Sequence, residues 1–582
     1  MPRKYVVALL LAVAVATYWN ALDAPFVWDD DIAITTNSSI HDITTSLNPP
    51  IETPVSGRPV VNLSLALNYA FDGLNPFGYH GLNLGIHVAC ALLLFGIVRR
   101  TLHRESAASG IGSPDGVALA AALVWMVHPL LSETIDYTTQ RSESLMGLFF
   151  LLTLYAAIRA RDPRKKREAN KKSGATQKRA APSGSPLWTA IAIASCAAGM
   201  ATKESMAVAP IAVLLYDVVF EFDSLAEALS ARRVLYAGLA ATWLELGVIM
   251  RYWPRSTVGG TAIGPATYAL NQAQMIVRYL SLSFWPRALV LDYGVPQARH
   301  VAEVVPQLVL IGVLLALTIV ALFRWPAIGF LSAMFFLTLA PTSSLVPIST
   351  EVGAERRMYL PLAALVVLVV VQIARYVRPR RMIAVAAVVA VAALAIRTVE
   401  RNRDYATALS LWQSVVDRRP HGRARFAFAN ELMQAGRHDE ATAQLRLAVA
   451  DYPDARAGLG TELLLQGNVE EGVDVLQAFV DANPSLPNRA PARMLLSQAH
   501  RALAERALSQ RNAPAAEAEA RKSIAFDDKN ADAHNLLGAA LASQGKLREA
   551  VPEFQAAVRL DPQLQSAKDN LVRASALLSL RR

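Results

Sequence analysis

Residues 531–564 read ADAHNLLGAALASQGKLREAVPEFQAAVRLDPQL, and this stretch decides the architecture of the C-terminal third. Leu537, Gly538 and Leu541 fall at helical spacing, Gly545 interrupts, Ala550, Phe554 and Ala557 resume it, and Pro562 closes the unit. The pattern is a pair of amphipathic helices joined by a glycine turn. Such a hairpin cannot bury its apolar face alone and becomes stable only when stacked on neighbours.

The preceding residues supply those neighbours. Residues 422–455 carry Gly436, Ala441, Leu445, Ala448 and Pro453 on the same template, and a further unit starts near 453 with Gly460, Gly467, Gly472, Phe479 and Pro484. A degenerate unit runs over 497–530, and Ala408, Trp412 and Pro420 read as the second half of a unit joined to the apolar run before it. These are tetratricopeptide repeats, and they predict an α-solenoid domain over 401–582. Its function is protein or peptide binding on the concave face, or that of a spacer or dimerisation arm.

The first 400 residues are of another kind. Long Ala/Leu/Val runs fill them and lift the 582-residue chain to 53% hydrophobic residues and a mean hydropathy of +0.29. Eleven apolar stretches, near 5–21, 81–98, 116–132, 144–159, 187–202, 205–220, 233–250, 303–323, 325–341, 359–376 and 382–398, predict membrane spans in a domain over 1–400. The expected fold class is all-α, a polytopic membrane helical bundle followed by the repeat solenoid. Residues 268–285 are apolar enough to suggest a twelfth span, but that crossing would put the later basic loops on the wrong side. They are expected to be interfacial or re-entrant.

A net charge of +10 would suit nucleic acid, but its placement excludes that partner. Ten Lys/Arg lie from Arg159 to Arg179, between two apolar spans, which is the positive-inside pattern. Arg3 and Lys4 place the N-terminus in the cytoplasm. The basic residues near Arg99, Arg232, Arg324 and Arg378 fall on the same side if there are eleven spans. The loop 22–80 holds seven acids and one basic residue, Arg58, so it is external, and so is everything after Arg397. An alternative for the first run is a cleaved signal peptide ending at Ala14-Val15-Ala16. Cys90 and Cys196 both sit in apolar runs, and no disulfide framework is expected.

Polar residues recur where the membrane makes them costly. The external loop carries Asp29, Asp30 and Asp31 in succession, three carboxylates that repel one another. A solvated loop start is one reading; a general base is the sharper one, with a neighbour orienting substrate or a cation. His128-Pro129 and Glu133 end the third span, Arg141 and Glu143 open the fourth, Lys203-Glu204 join the fifth and sixth, and Glu355, Arg356, Arg357 and Tyr359 open the tenth. Packing, helix capping and snorkelling account for such residues one at a time. Together, on the face that carries the aspartates, an acid and several cations suit a lipid-phosphate donor. His80, Asn83 and His87 share one helix face, but no second ligand pair accompanies them, so helix packing or substrate contact is favoured over metal. No glycine-rich phosphate loop is present, which argues against a soluble nucleotide sugar.

In order and position these residues resemble the membrane O-mannosyltransferases that carry tetratricopeptide repeats, and their bacterial relatives. The match runs from Phe26-Val27, Asp29-Asp30, Ile34, Asn37, Arg58-Pro59 and Asn68 through Gly78-Tyr79-His80, Asn83 and His87. It continues with His128-Pro129, Glu133, Arg141, Glu143, Lys203-Glu204, Glu355-Arg356 and Tyr359-Leu360-Pro361. The resemblance implies a class C glycosyltransferase fold and a polyprenyl-phosphate donor, with mannose as the candidate sugar. It also implies a protein acceptor engaged by the repeats, and inverting single displacement. Asp29 or Asp30 would be the base, and Asp31 is additional to the usual pair. Arg58, His80, His128, Glu133, Arg141, Glu143, Lys203, Glu204, Glu355, Arg356 and Tyr359 would bind substrate or lipid phosphate. No cofactor is required by the sequence; a divalent cation is a candidate, with Asp29 and Asp30 as ligands. The Ala/Arg-rich composition suggests a bacterial inner membrane with the repeats in the periplasm. The competing expectation is a membrane-anchored repeat scaffold for envelope assembly.

Overall fold

The computed structural model describes residues 3–109, 113–160, 185–254, 264–344, 346–482 and 489–580. Most of the basic stretch that ends at Arg179, and Pro484 of the second repeat, lie outside the described residues. Among those described, the regular elements are helices and no β-strand forms. The chain divides into two compact units, Met1–Arg419 and Pro420–Arg582.

In the first unit seven helices are long and apolar enough to cross a membrane: Lys4–Ala21, Pro76–Arg104, Thr138–Ala160, Arg233–Tyr252, Val301–Arg324, Glu355–Tyr376 and Arg380–Tyr405. Two further candidates are bent, Pro114–Met126 with Pro129–Asp136 (56°) and Glu204–Phe220 with Leu225–Ala231 (114°). The apolar helices Pro186–Met200 and Pro326–Leu339 are shorter. At ~1.5 Å per residue they fall short of a ~30 Å hydrocarbon core without their flanking turns. Apolar helices in this number make the chain an integral membrane protein.

The bends have local causes. Pro129 cannot continue the helix before it, and the His128 side chain accepts from the Leu130 N–H at 3.2 Å to start the next turn. Residues 268–284 fall within one unbroken helix, Pro265–Phe284, which is not among the helices apolar enough to cross a membrane. Buried Tyr268, Asn271 and Gln272 give it a polar inner face and keep it out of the strongly apolar set. Helix Ala408–Arg418 packs with this first unit. Its Trp412 ring lies 4.6 Å from that of Trp28.

The second unit stacks the helix pairs Gly422–Gln434 and His438–Ala448, Ala455–Leu465 and Val469–Ala482, Arg489–Ser509 and Ala513–Phe526, and Ala531–Ser543 and Leu547–Leu560, then Gln565–Leu580. Each pair turns on a left-handed residue: Gly436, Gly467 and Gly545 at φ 72°, 83° and 78°, and Arg511 at 58° in the degenerate unit. Glycine takes that conformation without strain, arginine does not. Phe554 lies where a Cβ on Gly538 would sit, 2.7 Å away, so the absence of a side chain there permits close packing of the last pair.

Candidate active site

The site begins at the turn Val27–Asp30, where the Asp30 N–H donates to the Val27 carbonyl at 3.0 Å. Trp28 inside it has φ 53°, a conformation costly for a bulky residue, and remains 44% exposed. Asp29 and Asp30 follow it in a helical turn, where consecutive side chains point about 100° apart.

Asp30 points inward and is fully buried. One carboxyl oxygen accepts from Val27 N–H (3.1 Å); the other accepts from Thr139 N–H (2.7 Å) and from the Thr139 hydroxyl. Burial raises its pKa to about 7, against the pull of those donors. Asp30 fastens the loop that follows the first span to the start of the span Thr138–Ala160. Asp29 is only partly enclosed. Its N–H donates to the Tyr137 hydroxyl at 3.0 Å, and its carboxyl is raised by burial while Arg356, Tyr137 and Arg58 pull it down. Asp31 is exposed, and its carboxylate accepts from the Thr35 hydroxyl at 3.3 Å.

Around Asp29 stands a network of buried pairs. Arg356 donates to Glu133 from its guanidinium (2.5 Å) and its backbone N–H (2.9 Å), and it also pairs with Glu351. Arg357 reaches Glu351 at 2.9 Å and the Tyr268 hydroxyl at 3.2 Å. Burial alone would raise the Glu351 carboxyl, but Arg356 and Arg357 more than offset it and hold it at about 2. Lys203 donates to Glu143 at 2.5 Å, and Arg58 lies 3.9 Å from Glu204. In a low-dielectric setting such pairing is required of buried charges. Tyr137 and Glu351, both central here, carry no signal in the sequence: one follows an apolar run, the other sits in a loop.

Other predicted residues bond protein partners. The His80 ring nitrogens each lie 3.0 Å from a carbonyl, those of Ile135 and Ala24. Arg141 donates to Asn83 (2.6 Å) and to the carbonyls of Ser64 and Tyr79. His128 bonds the Ser283 carbonyl at 3.1 Å, and His87 joins the Tyr359 hydroxyl to the Met126 carbonyl. Tyr359 packs against Gly147, where a Cβ would meet its ring at 2.6 Å. Glu355 accepts from Val290 N–H and the Tyr293 hydroxyl and lies 3.5 Å from Arg401. His80, His128, Arg141 and Tyr359 thus bond protein partners, and Glu355 is held by Val290, Tyr293 and Arg401.

The aspartate pair offers few free positions to a cation. Both Asp30 oxygens already accept from protein donors, and no cluster of three or more metal-binding His, Cys, Asp or Glu occurs among the described residues.

Comparison with known proteins agrees with the resemblance read from the sequence. Tetratricopeptide-repeat families match residues 394–456, 426–487 and 531–564. Protein O-mannosyl-transferase TMTC3 of Mus musculus is 30% identical over 169 residues, which are 27% of this chain and 17% of that protein. Protein O-mannosyl-transferase TMTC4 of Homo sapiens is 26% identical over 236 residues, 38% of this chain and 30% of that protein. The match thus spans less than a third of either relative. Among solved structures, ArnT from Cupriavidus metallidurans bound to undecaprenyl phosphate is similar with a TM-score of 0.41 at 15% identity, over 82% of this chain and 80% of that one.

Proposed function

We propose that this chain is a glycosyltransferase that moves a sugar from a polyprenyl-phosphate donor onto a protein hydroxyl at the external face of its membrane. The observation that carries the proposal is the division of labour between neighbouring carboxylates. Asp30 is buried and holds the loop; Asp29 is partly open, beside Tyr137 and under the influence of Arg356 and Arg58. The relatives' names, protein O-mannosyl-transferases, favour a protein acceptor and mannose.

In this mechanism Asp29 takes the proton of the acceptor hydroxyl as that oxygen attacks the anomeric carbon. The new C–O bond forms as the bond from the anomeric carbon to the donor phosphate breaks, on opposite faces, so configuration inverts. The phosphate leaves with the electron pair and needs positive charge, not a proton. Arg356 and Arg58 supply that charge, with Lys203 and Glu143 behind them. The repeats engage the acceptor. The Lys/Arg distribution of the spans favours a cytoplasmic N-terminus and a periplasmic site in a bacterial inner membrane.

The test is transfer of radiolabelled mannose from polyprenyl-phosphate donors to acceptors in membrane and periplasmic fractions. Label that appears with the wild-type chain and is absent with folded Asp29→Asn is the expected result. No transfer from any sugar donor, with folded protein whose repeats capture one partner, would replace the enzyme by the scaffold.

A further inference from the structure

The loop that carries the aspartates also carries the most exposed large apolar side chain among the described residues. Phe71 is 88% exposed at the end of helix Pro59–Asp72. Leu67 lies one turn before it on the same face, and Leu74 and Phe77 follow across the corner into helix Pro76–Ser109; all three are exposed. The corner is rigid. Asn68 donates to the Gly78 carbonyl and the Tyr79 hydroxyl to the Gly73 carbonyl, each at 3.0 Å. These four side chains are therefore held out by the fold. A cluster of this kind marks a surface that is covered by something apolar.

The structure of the corner says what covers it. Phe77 stands in the first turn of a membrane-crossing helix, Pro76–Arg104, so the patch lies at the level where that helix enters the bilayer. Exposed Asp72 and Asn75 share the corner, and a carboxylate does not enter hydrocarbon cheaply. The depth that satisfies both is the boundary between headgroups and acyl chains.

We propose that the corner Leu67–Phe77 is a membrane-interface anchor, seated in the leaflet on the side of Asp29, with lipid acyl chains as its ligand. Its consequence is positional. Asn62 of the same helix donates to the Ser46 carbonyl at 2.8 Å and accepts from Asn37 at 3.0 Å, while Arg141 holds the Ser64 carbonyl at 3.1 Å. The helix is thus tied to the loop that starts at Asp29 and to the start of the span Thr138–Ala160. Anchoring its end fixes the height of that loop above the lipid.

The test uses the full chain in phosphatidylcholine–phosphatidylglycerol vesicles and does not depend on the proposed chemistry. Both native cysteines are buried, so Phe71→Cys can be labelled selectively with an environment-sensitive fluorophore in the folded protein. Leu74→Cys gives a second site should the first variant fold poorly, and exposed Glu549→Cys in the repeats is the aqueous reference. The expected result is blue-shifted emission at 71 or 74, quenched several-fold more by a nitroxide at a shallow acyl position than by one deep in the chain, with neither quenching the reference. Emission and quenching equal to the reference would overturn the proposal. So would shielding that rises with the number of protein copies per vesicle and ignores nitroxide depth, because the cover would then be a second copy.

Discussion

The two units handle charge in opposite ways. In the repeat unit the Arg–Glu pairs between hairpins lie on the surface; Arg446 and Glu471 pair across neighbouring hairpins with side chains 50% and 44% exposed. In the first unit Glu133 is fully buried against Arg356, and Glu143 is buried against Lys203. Exposed pairs trade water for a partner at little gain. Buried pairs exist only because each charge would be far worse alone. A fold that accepts that cost around a strained turn with a partly open carboxylate has the features of a preorganised site. The repeats need no such arrangement and are held by glycine turns and apolar stacking.

Removing the open carboxylate gives the largest effect. Asp29→Asn should lower sugar transfer by roughly 10²–10⁴-fold, the range for loss of a positioned base, without moving the unfolding midpoint. Loss of stability equal to the loss of activity would erase the distinction from Asp30. Glu133→Ala leaves Arg356 with one carboxylate partner instead of two and should cost about 1.5–3 kcal/mol in detergent-solubilised unfolding. A pH profile sharpens the same contrast. Burial raises the Asp29 carboxyl and Arg356 lowers it, so in Arg356→Gln the base stays protonated to higher pH. The acid limb of kcat/KM should therefore move upward in pH; a limb that stays in place would show that Asp29 is not the titrating group.

Smaller effects belong to the repeats. Arg511 holds the left-handed turn that glycine holds in the other units. Arg511→Gly should stabilise the repeat unit by roughly 0.5–1 kcal/mol, and Gly545→Ala should destabilise it by about 1–2 kcal/mol, both read from unfolding curves. Arg446→Ala should leave the midpoint unchanged, since its partner is solvated.

These differences also explain what could be read in advance. The repeats were legible because period, turn glycine and small packing residues lie within 34 positions, as in 531–564. The span helices were legible for the same reason: apolar runs are local. The charged residues at span ends were visible as a set, but their pairing was not. Glu133 and Arg356 are 223 positions apart, and His87 and Tyr359 are 272 apart. Nothing local separates Arg356, whose donors meet two carboxylates beside Asp29, from Arg141, whose donors meet neutral oxygens. Nor does the triplet Asp29-Asp30-Asp31 reveal which member turns inward, because that follows from the donors that meet Asp30, Val27 beside it and Thr139 109 positions away.

The central claim is that adjacent aspartates have separate tasks, and one comparison tests it most directly. Single-turnover transfer from a polyprenyl-phosphate sugar should be measured for wild type, Asp29→Asn and Asp30→Asn, each beside its unfolding midpoint. Asp29→Asn should abolish the chemical step in a protein as stable as wild type, whereas Asp30→Asn should lower stability and retain the base. A wild-type rate in Asp29→Asn, or a stable but inactive Asp30→Asn, would contradict it.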